Sequence, residues 1–216
     1  MMRGEVFDAF GGFLESRSAP VYGVTIGVVT NNKDPDKLGR VKVKLPWLSD
    51  SDESNWARVV APMAGKERGL YCLPEVDDEV LVAFEHGDIS FPYVLGALWN
   101  GKDAPPETNS DGKNDRRVLK SRSGHIIRLD DKDGEEKIEI IDKSGKNSIV
   151  ITSKDNKLTI TADNDITIAS KSGAVKLSGK GVQIDSQSDV KIEAKTSMDV
   201  KATGNMTVKG AMVAIN

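Results

Sequence analysis

The stretch "DNDITIASKSGAVKLSGKGVQIDSQSDVKIEAKTSMDVKATGNMTVKG", residues 163–210, repeats itself with a period of about eight residues. The mark of each unit is an apolar pair at i and i+2. The pairs are Leu158/Ile160, Ile166/Ile168, Val175/Leu177, Val182/Ile184, Val190/Ile192, Met198/Val200 and Met206/Val208, with Val213/Ile215 closing the series. Ile138/Ile140 and Ile149/Ile151 are looser copies upstream. Residues two apart on a strand share a face, so each pair lines one side and the residue between, such as Lys176 or Gln183, faces the other. A helix fits poorly, because the period drifts off 3.6 and the segments are rich in Val, Ile and Thr. Short self-similar strand units predict a β-solenoid or fibre.

One unit offers two modest aliphatic side chains against an ordering cost on the order of 1–2 kcal/mol per residue. A single thread has little margin. Other copies of the chain would supply the missing walls and cover the strand edges, so an obligate homo-oligomer is expected. The trimer-core stripe then comprises Leu158, Ile160, Ile166, Ile168, Val175, Leu177, Val182, Ile184, Val190, Ile192, Met198, Val200, Met206 and Val208, with turn glycines at Gly173, Gly181, Gly204 and Gly210. A three-walled prism is the simplest closed shape; the repeat alone does not set the number.

Composition divides the 216 residues. Every Trp, Tyr and Phe lies at or before Trp99, every Pro at or before Pro106, and the last Arg is Arg128. An aromatic domain is followed by an aliphatic, hydroxyl-rich repeat, through the polar linker "GKDAPPETNSDGKND". The expected segments are 1–20, an N-terminal docking segment; 21–100, a barrel; 101–117, a linker; 118–147, the join to the repeat; and 148–216, the repeat itself.

Net charge is −3, which argues against nucleic acid as a partner. The lone Cys72 excludes an internal disulfide framework and reads as a small buried hydrophobe. No apolar run reaches the roughly 20 residues of a membrane span, and Glu5 and Asp8 interrupt any signal-peptide core.

Taken in order, residues 1–20 carry Val6, Phe7, Phe10, Phe13 and Leu14 at helical spacing, interrupted by Gly11-Gly12. They read either as a frayed terminus or as a docking segment for a neighbouring subunit. Residues 21–100 read as about five strands: Tyr22–Thr30, Arg40–Leu45, Ala57–Ala61, Val80–Glu85 and Tyr93–Leu98, with a brief strand at Leu70–Leu73. Many short strands with turn signals between them suggest a closed or nearly closed OB-type barrel.

"LGRVKVKLPW" (38–47), "WARVVAPMAGKERG" (56–69) and "LPEVDDEVLVAFEHGDISFPYVLGALWNG" (73–101) together resemble the OB-fold domain of phage baseplate assembly protein V and the VgrG spikes of type VI secretion. "LKSRSGHIIRLDDKDGEEKIEI" (119–140) resembles the join in those families, and the octads resemble their intertwined triple-stranded β-helix. The resemblance implies an all-β homotrimeric needle, an OB barrel followed by that β-helix. It implies the central spike of a contractile injection machine, made in the bacterial cytoplasm and carried in a virion or extracellular particle. Its partners would be hub or tube proteins at the N-terminal end (Phe7, Phe10, Phe13), a PAAR-type tip protein at the C-terminal end (Met212, Val213, Ile215) and the target envelope. The residues before the barrel are few beside a full VgrG hub region, and no lysozyme-like domain is inserted, so the short, protein-V-like form is expected.

Catalytic and metal chemistry find little support. His86 and His125 stand apart with no His/Cys cluster, and "GNMTVKGAMVAIN" lacks the His of iron-binding tips. Asp77-Asp78-Glu79 reads as a solvated turn rather than paired acids. Asp131-Lys132-Asp133-Gly134 lacks acids at the ends of a calcium loop and reads as a hairpin turn. No catalytic residue, metal or cofactor is expected. The alternative is a trimeric glycan-binding OB module, with Trp47 and Trp56 as stacking platforms if exposed and as barrel covers if not.

Overall fold

The computed structural model describes residues 20–49 and 51–214. The chain divides into two units, Met1–Asp163 and Asn164–Asn216. The first holds a barrel and a separate sheet. Phe7, Phe10, Phe13 and Ile215 lie outside the described residues.

Five strands close the barrel: β1 (Thr25–Asn31), β2 (Arg40–Lys44), β3 (Ala57–Val59), β6 (Glu79–Phe84) and β7 (Pro92–Ala97), in the order β1-β2-β3-β7-β6. All pairings are antiparallel except β3 with β7. The strict alternation of "RVKVK" and "EVLVAF" decides which side chains turn inward. Val41, Val43, Val80 and Val82 are fully buried, together with Val29, Ala57 and Val94, while Leu45 and Phe84 complete the core.

Two expectations fail between β3 and β6. Leu70–Leu73 forms no strand; the ladder comes earlier, as a minimal hairpin of β4 (Ala64–Gly65) and β5 (Arg68–Gly69). The hairpin leaves the barrel surface and carries its following residues with it, so Cys72 is exposed rather than buried.

The sheet is a meander of five five-residue strands: β8 (Arg116–Lys120), β9 (Ile126–Asp130), β10 (Lys137–Ile141), β11 (Ser148–Thr152) and β12 (Lys157–Thr161). Each strand pairs antiparallel with the next through a tight turn. The "DDKDGEEK" turn is a hairpin, as its composition predicts, with Gly134 at φ 72° and Glu135 N–H donating to Lys132 O at 2.8 Å.

Residues 164–214 form no strand, bridge or hydrogen-bonded turn. The glycines expected to turn the repeat (Gly173, Gly181, Gly204 and Gly210) do not sit in the left-handed region that Gly134 and Gly145 occupy. Among the described residues no helix is long and apolar enough to cross a membrane.

Candidate assembly surface

Register across the sheet stacks the apolar pairs into two rows. Leu119, Ile127, Ile140, Ile149 and Ile160 stand side by side, and Leu129, Ile138, Ile151 and Leu158 form the row beside them. All nine point to one face, and all are left 41–60% exposed. A sheet normally turns its apolar face to a core and its polar face to water. Here, among the described residues, nothing covers the apolar face.

The opposite face is charged and covered. Arg128 and Glu139 are direct cross-strand partners, with Arg128 Nε 2.8 Å from Glu139 Oε2. Lys137 Nζ lies 3.1 Å from the other oxygen of Glu139. Arg116 Nε donates to Asp130 at 3.2 Å. Glu107, from the segment before β8, reaches over this face to Arg116 at 3.2 Å and Arg128 at 3.6 Å. Burial pushes the Asp130 carboxyl up, but the Lys132 N–H and the Arg116 guanidinium outweigh it, and the net shift is downward. Among the described residues, the charged face is thus partly covered and the apolar face is left bare.

The repeat carries the pattern onward. From Ile166 to Val208 every stripe residue is 50–73% exposed, and in each pair the second member is more exposed than the first. The same local setting recurs from one octad to the next. Met212 and Val213, at the expected tip, are exposed as well.

Polar clusters on the barrel are structural. Asp34 accepts from the Asp36, Leu38 and Arg40 N–H groups and from the Arg40 guanidinium, at 2.7 Å in the shortest contact. That guanidinium, with the backbone donors, holds the Asp34 carboxyl far below the usual range despite its burial. Arg40 and Lys42 both sit over the Trp56 ring, 5.8 and 5.7 Å from its centroid. Trp56 is therefore partly covered, whereas Trp47 is half exposed. His86 lies in the β6–β7 turn, and His125 Nδ1 accepts from the Lys143 N–H at 3.2 Å. Among the described residues no cluster of His, Cys, Asp or Glu has metal-binding geometry.

The ion network escaped the sequence reading because its members are scattered between positions 107 and 139 and meet only through strand register. The nearest signal was the alternation of charge with aliphatic residues in "RLD" and "KIEI".

Residues 25–99, from the first residue of β1 to just past β7, match the OB domain of type VI secretion system and phage-baseplate injectors. The chain is 33% identical over 139 residues to the type VI secretion system spike protein VgrG5 of Pseudomonas aeruginosa, covering 58% of this chain and 18% of that protein. It is 32% identical over 108 residues to the spike protein VgrG3 of Vibrio cholerae, covering 48% and 10%. Over these stretches the chain is similar to VgrG and baseplate-V proteins. A further relative of this type, the actin cross-linking toxin VgrG1 of Vibrio cholerae, is 27% identical over 136 residues, covering 61% of this chain and 12% of the toxin. The chain spans between 10% and 18% of the length of these VgrG relatives.

Proposed function

We propose that the protein is the non-enzymatic central spike of a contractile injection machine, a phage tail, tailocin or related system. Three copies associate through the apolar face of the sheet and the octad stripe, and the octads after β12 wind into a shared triple-stranded β-helix. The observation that carries this reading is the inverted sheet, with nine aliphatic side chains bare on one face and an ion network covered on the other. Covering those nine would stabilise each chain by on the order of 10 kcal/mol. The unpaired backbone of residues 164–214 fits the same arrangement, because ladder partners for single i, i+2 units come from neighbouring chains.

In this reading the barrels gather the chains at a hub or tube, with Phe7, Phe10 and Phe13 as docking residues. A PAAR-type tip protein seats on Met212, Val213 and Ile215. Sheath contraction drives the needle into the target envelope, and its stiffness comes from ladder bonds shared among chains, with no hinge between them. The particle is assembled in the cytoplasm and acts in a virion or outside the producing cell.

Solution mass by light scattering, with SDS gels before and after heating, tests this reading. A trimer that survives SDS until heated is expected. A monomer would refute the shared core.

The half-exposed Trp47 favours a second reading, a glycan-binding barrel on a stalk. Binding to a glycan array that is lost in Trp47→Ala would establish it.

A further inference from the structure

Two concavities open on the first unit, one on the sheet and one on the barrel. The first lies at the barrel end of the apolar sheet face. It measures about 440 Å³, and its lining includes Leu119, Ile127, Ile140, Ile149 and Ile160. The second, about 630 Å³, lies beneath the β4–β5 hairpin and is lined by Leu38, Val60, Met63, Leu70, Tyr71 and Cys72. Their lips adjoin. Arg122, one residue past the Ser121 that borders the first, pairs with Glu75 at 2.8 Å, and Glu75 stands two residues beyond Leu73 of the second.

Among the described residues, none fills either concavity. Tyr71 is 78% exposed, and Met63 and Leu70 are half exposed. The loop that carries them is pinned at its base, where Leu70 N–H donates to Met63 O at 3.0 Å. It presents a large aromatic ring to solvent. Such exposed apolar surface marks a contact site, and a rigid aromatic is an effective anchor for one.

We infer that the Met63–Tyr71 loop of one copy seats in the sheet concavity of a neighbouring copy. The barrels then lock the register of the assembly and do more than lead the chains to it. This rests on the trimeric reading above, since that reading brings the junctions of different copies together. The occupant is a second copy because the apolar rows of the first concavity continue without a break along the face assigned to self-association.

Cys72 supplies a native probe, being exposed in the single chain and adjacent to Tyr71. The test compares its rate of maleimide labelling in the native oligomer with that in an Ile140→Asp variant, together with the light-scattering mass of each. A trimer whose Cys72 reacts at least about tenfold more slowly than in the Ile140→Asp monomer is expected. Tyr71→Ser should restore the fast rate and lower the temperature at which the trimer dissociates in SDS. A trimer labelling as fast as the monomer would overturn the inference and leave the spike reading standing, pointing to a hub protein as the loop's partner. An unchanged dissociation temperature in Tyr71→Ser would also overturn it. A wild-type monomer would sink both readings.

Discussion

Arg128 and Glu139 face each other directly across the β9–β10 ladder, Nε 2.8 Å from Oε2, with their side chains 19% and 9% exposed. Those two atoms meet as an ion pair by proximity rather than as a well-aligned hydrogen bond. A buried pair of this kind is a weak source of net stability, but it is costly to break. Its position matters more than its strength. A register slip of one residue would carry these charges to the apolar face and the isoleucines beneath Glu107.

Glu139→Ala leaves the Arg128 guanidinium with the more distant Glu107 carboxylate. Urea denaturation should show a loss of about 3 kcal/mol. Replacing both partners, Arg128→Leu with Glu139→Leu, should cost less than either single change. A double variant as unstable as the sum of the singles would show that the pair does not act as a unit.

Ile168→Asp or Ile184→Asp should abolish the trimer, at on the order of 3 kcal/mol or more per chain for burying an unpaired carboxylate. Thr167→Asp and Gln183→Asp, at the positions between pair members, should leave the mass unchanged. Heat-resistant trimers of Ile168→Asp would mean that the inward and outward faces have been assigned the wrong way round.

Asp34 contributes to stability through its ionised form. Its carboxyl is depressed chiefly by the Arg40 guanidinium and further by backbone donors. A depressed carboxyl contributes fully above its unfolded value of about 3.9 and progressively less as pH falls below it. Thermal unfolding of Asp34→Asn should therefore lie below wild type at pH 7, and the two should converge in acid. Asp142, brought down to about 2 by Ser144 and Asn147, should behave alike, its contribution fading between its ordinary 3.8 and about 2. A gap that stays constant down to pH 2 would speak against both assignments.

Gly145 turns β10 into β11 at φ 72°, with no atom within 4 Å of where a Cβ would lie. Gly145→Ala should cost about 1 kcal/mol, from backbone strain alone. Gly181 has the same open space without the left-handed backbone. Gly181→Ala should be close to neutral in the trimer; a cost matching that of Gly145→Ala would reveal a neighbouring chain packed against that glycine.

The parts of the fold that were legible share a local signature. "RVKVK" and "EVLVAF" alternate at the strand period, so their inward valines could be named before any pairing was known. The i, i+2 spacing of Ile138/Ile140 and Ile149/Ile151 likewise anticipates that their side chains share a face. What could not be read depends on register or on excursions of the chain. Nothing local pairs Arg128 with Glu139, and nothing in "GLYCLP" tells that a two-residue hairpin upstream lifts Tyr71 and Cys72 into solvent. Propensity placed a strand there because Leu, Tyr and Cys suit one, but the surrounding barrel had no free edge to accept it.

The boundary at Asp163 also divides two kinds of folding. From β8 to β12 each strand pairs with the next along the same chain, through short turns of low contact order, and such contacts form quickly and at any dilution. Among the described residues beyond Asp163, no intrachain ladder forms. On the trimeric reading the remaining residues order only after chains have met, so their folding becomes a second process whose half-time shortens as protein concentration rises. The sheet would act as the nucleus from which the three strands zip towards their C-terminal ends.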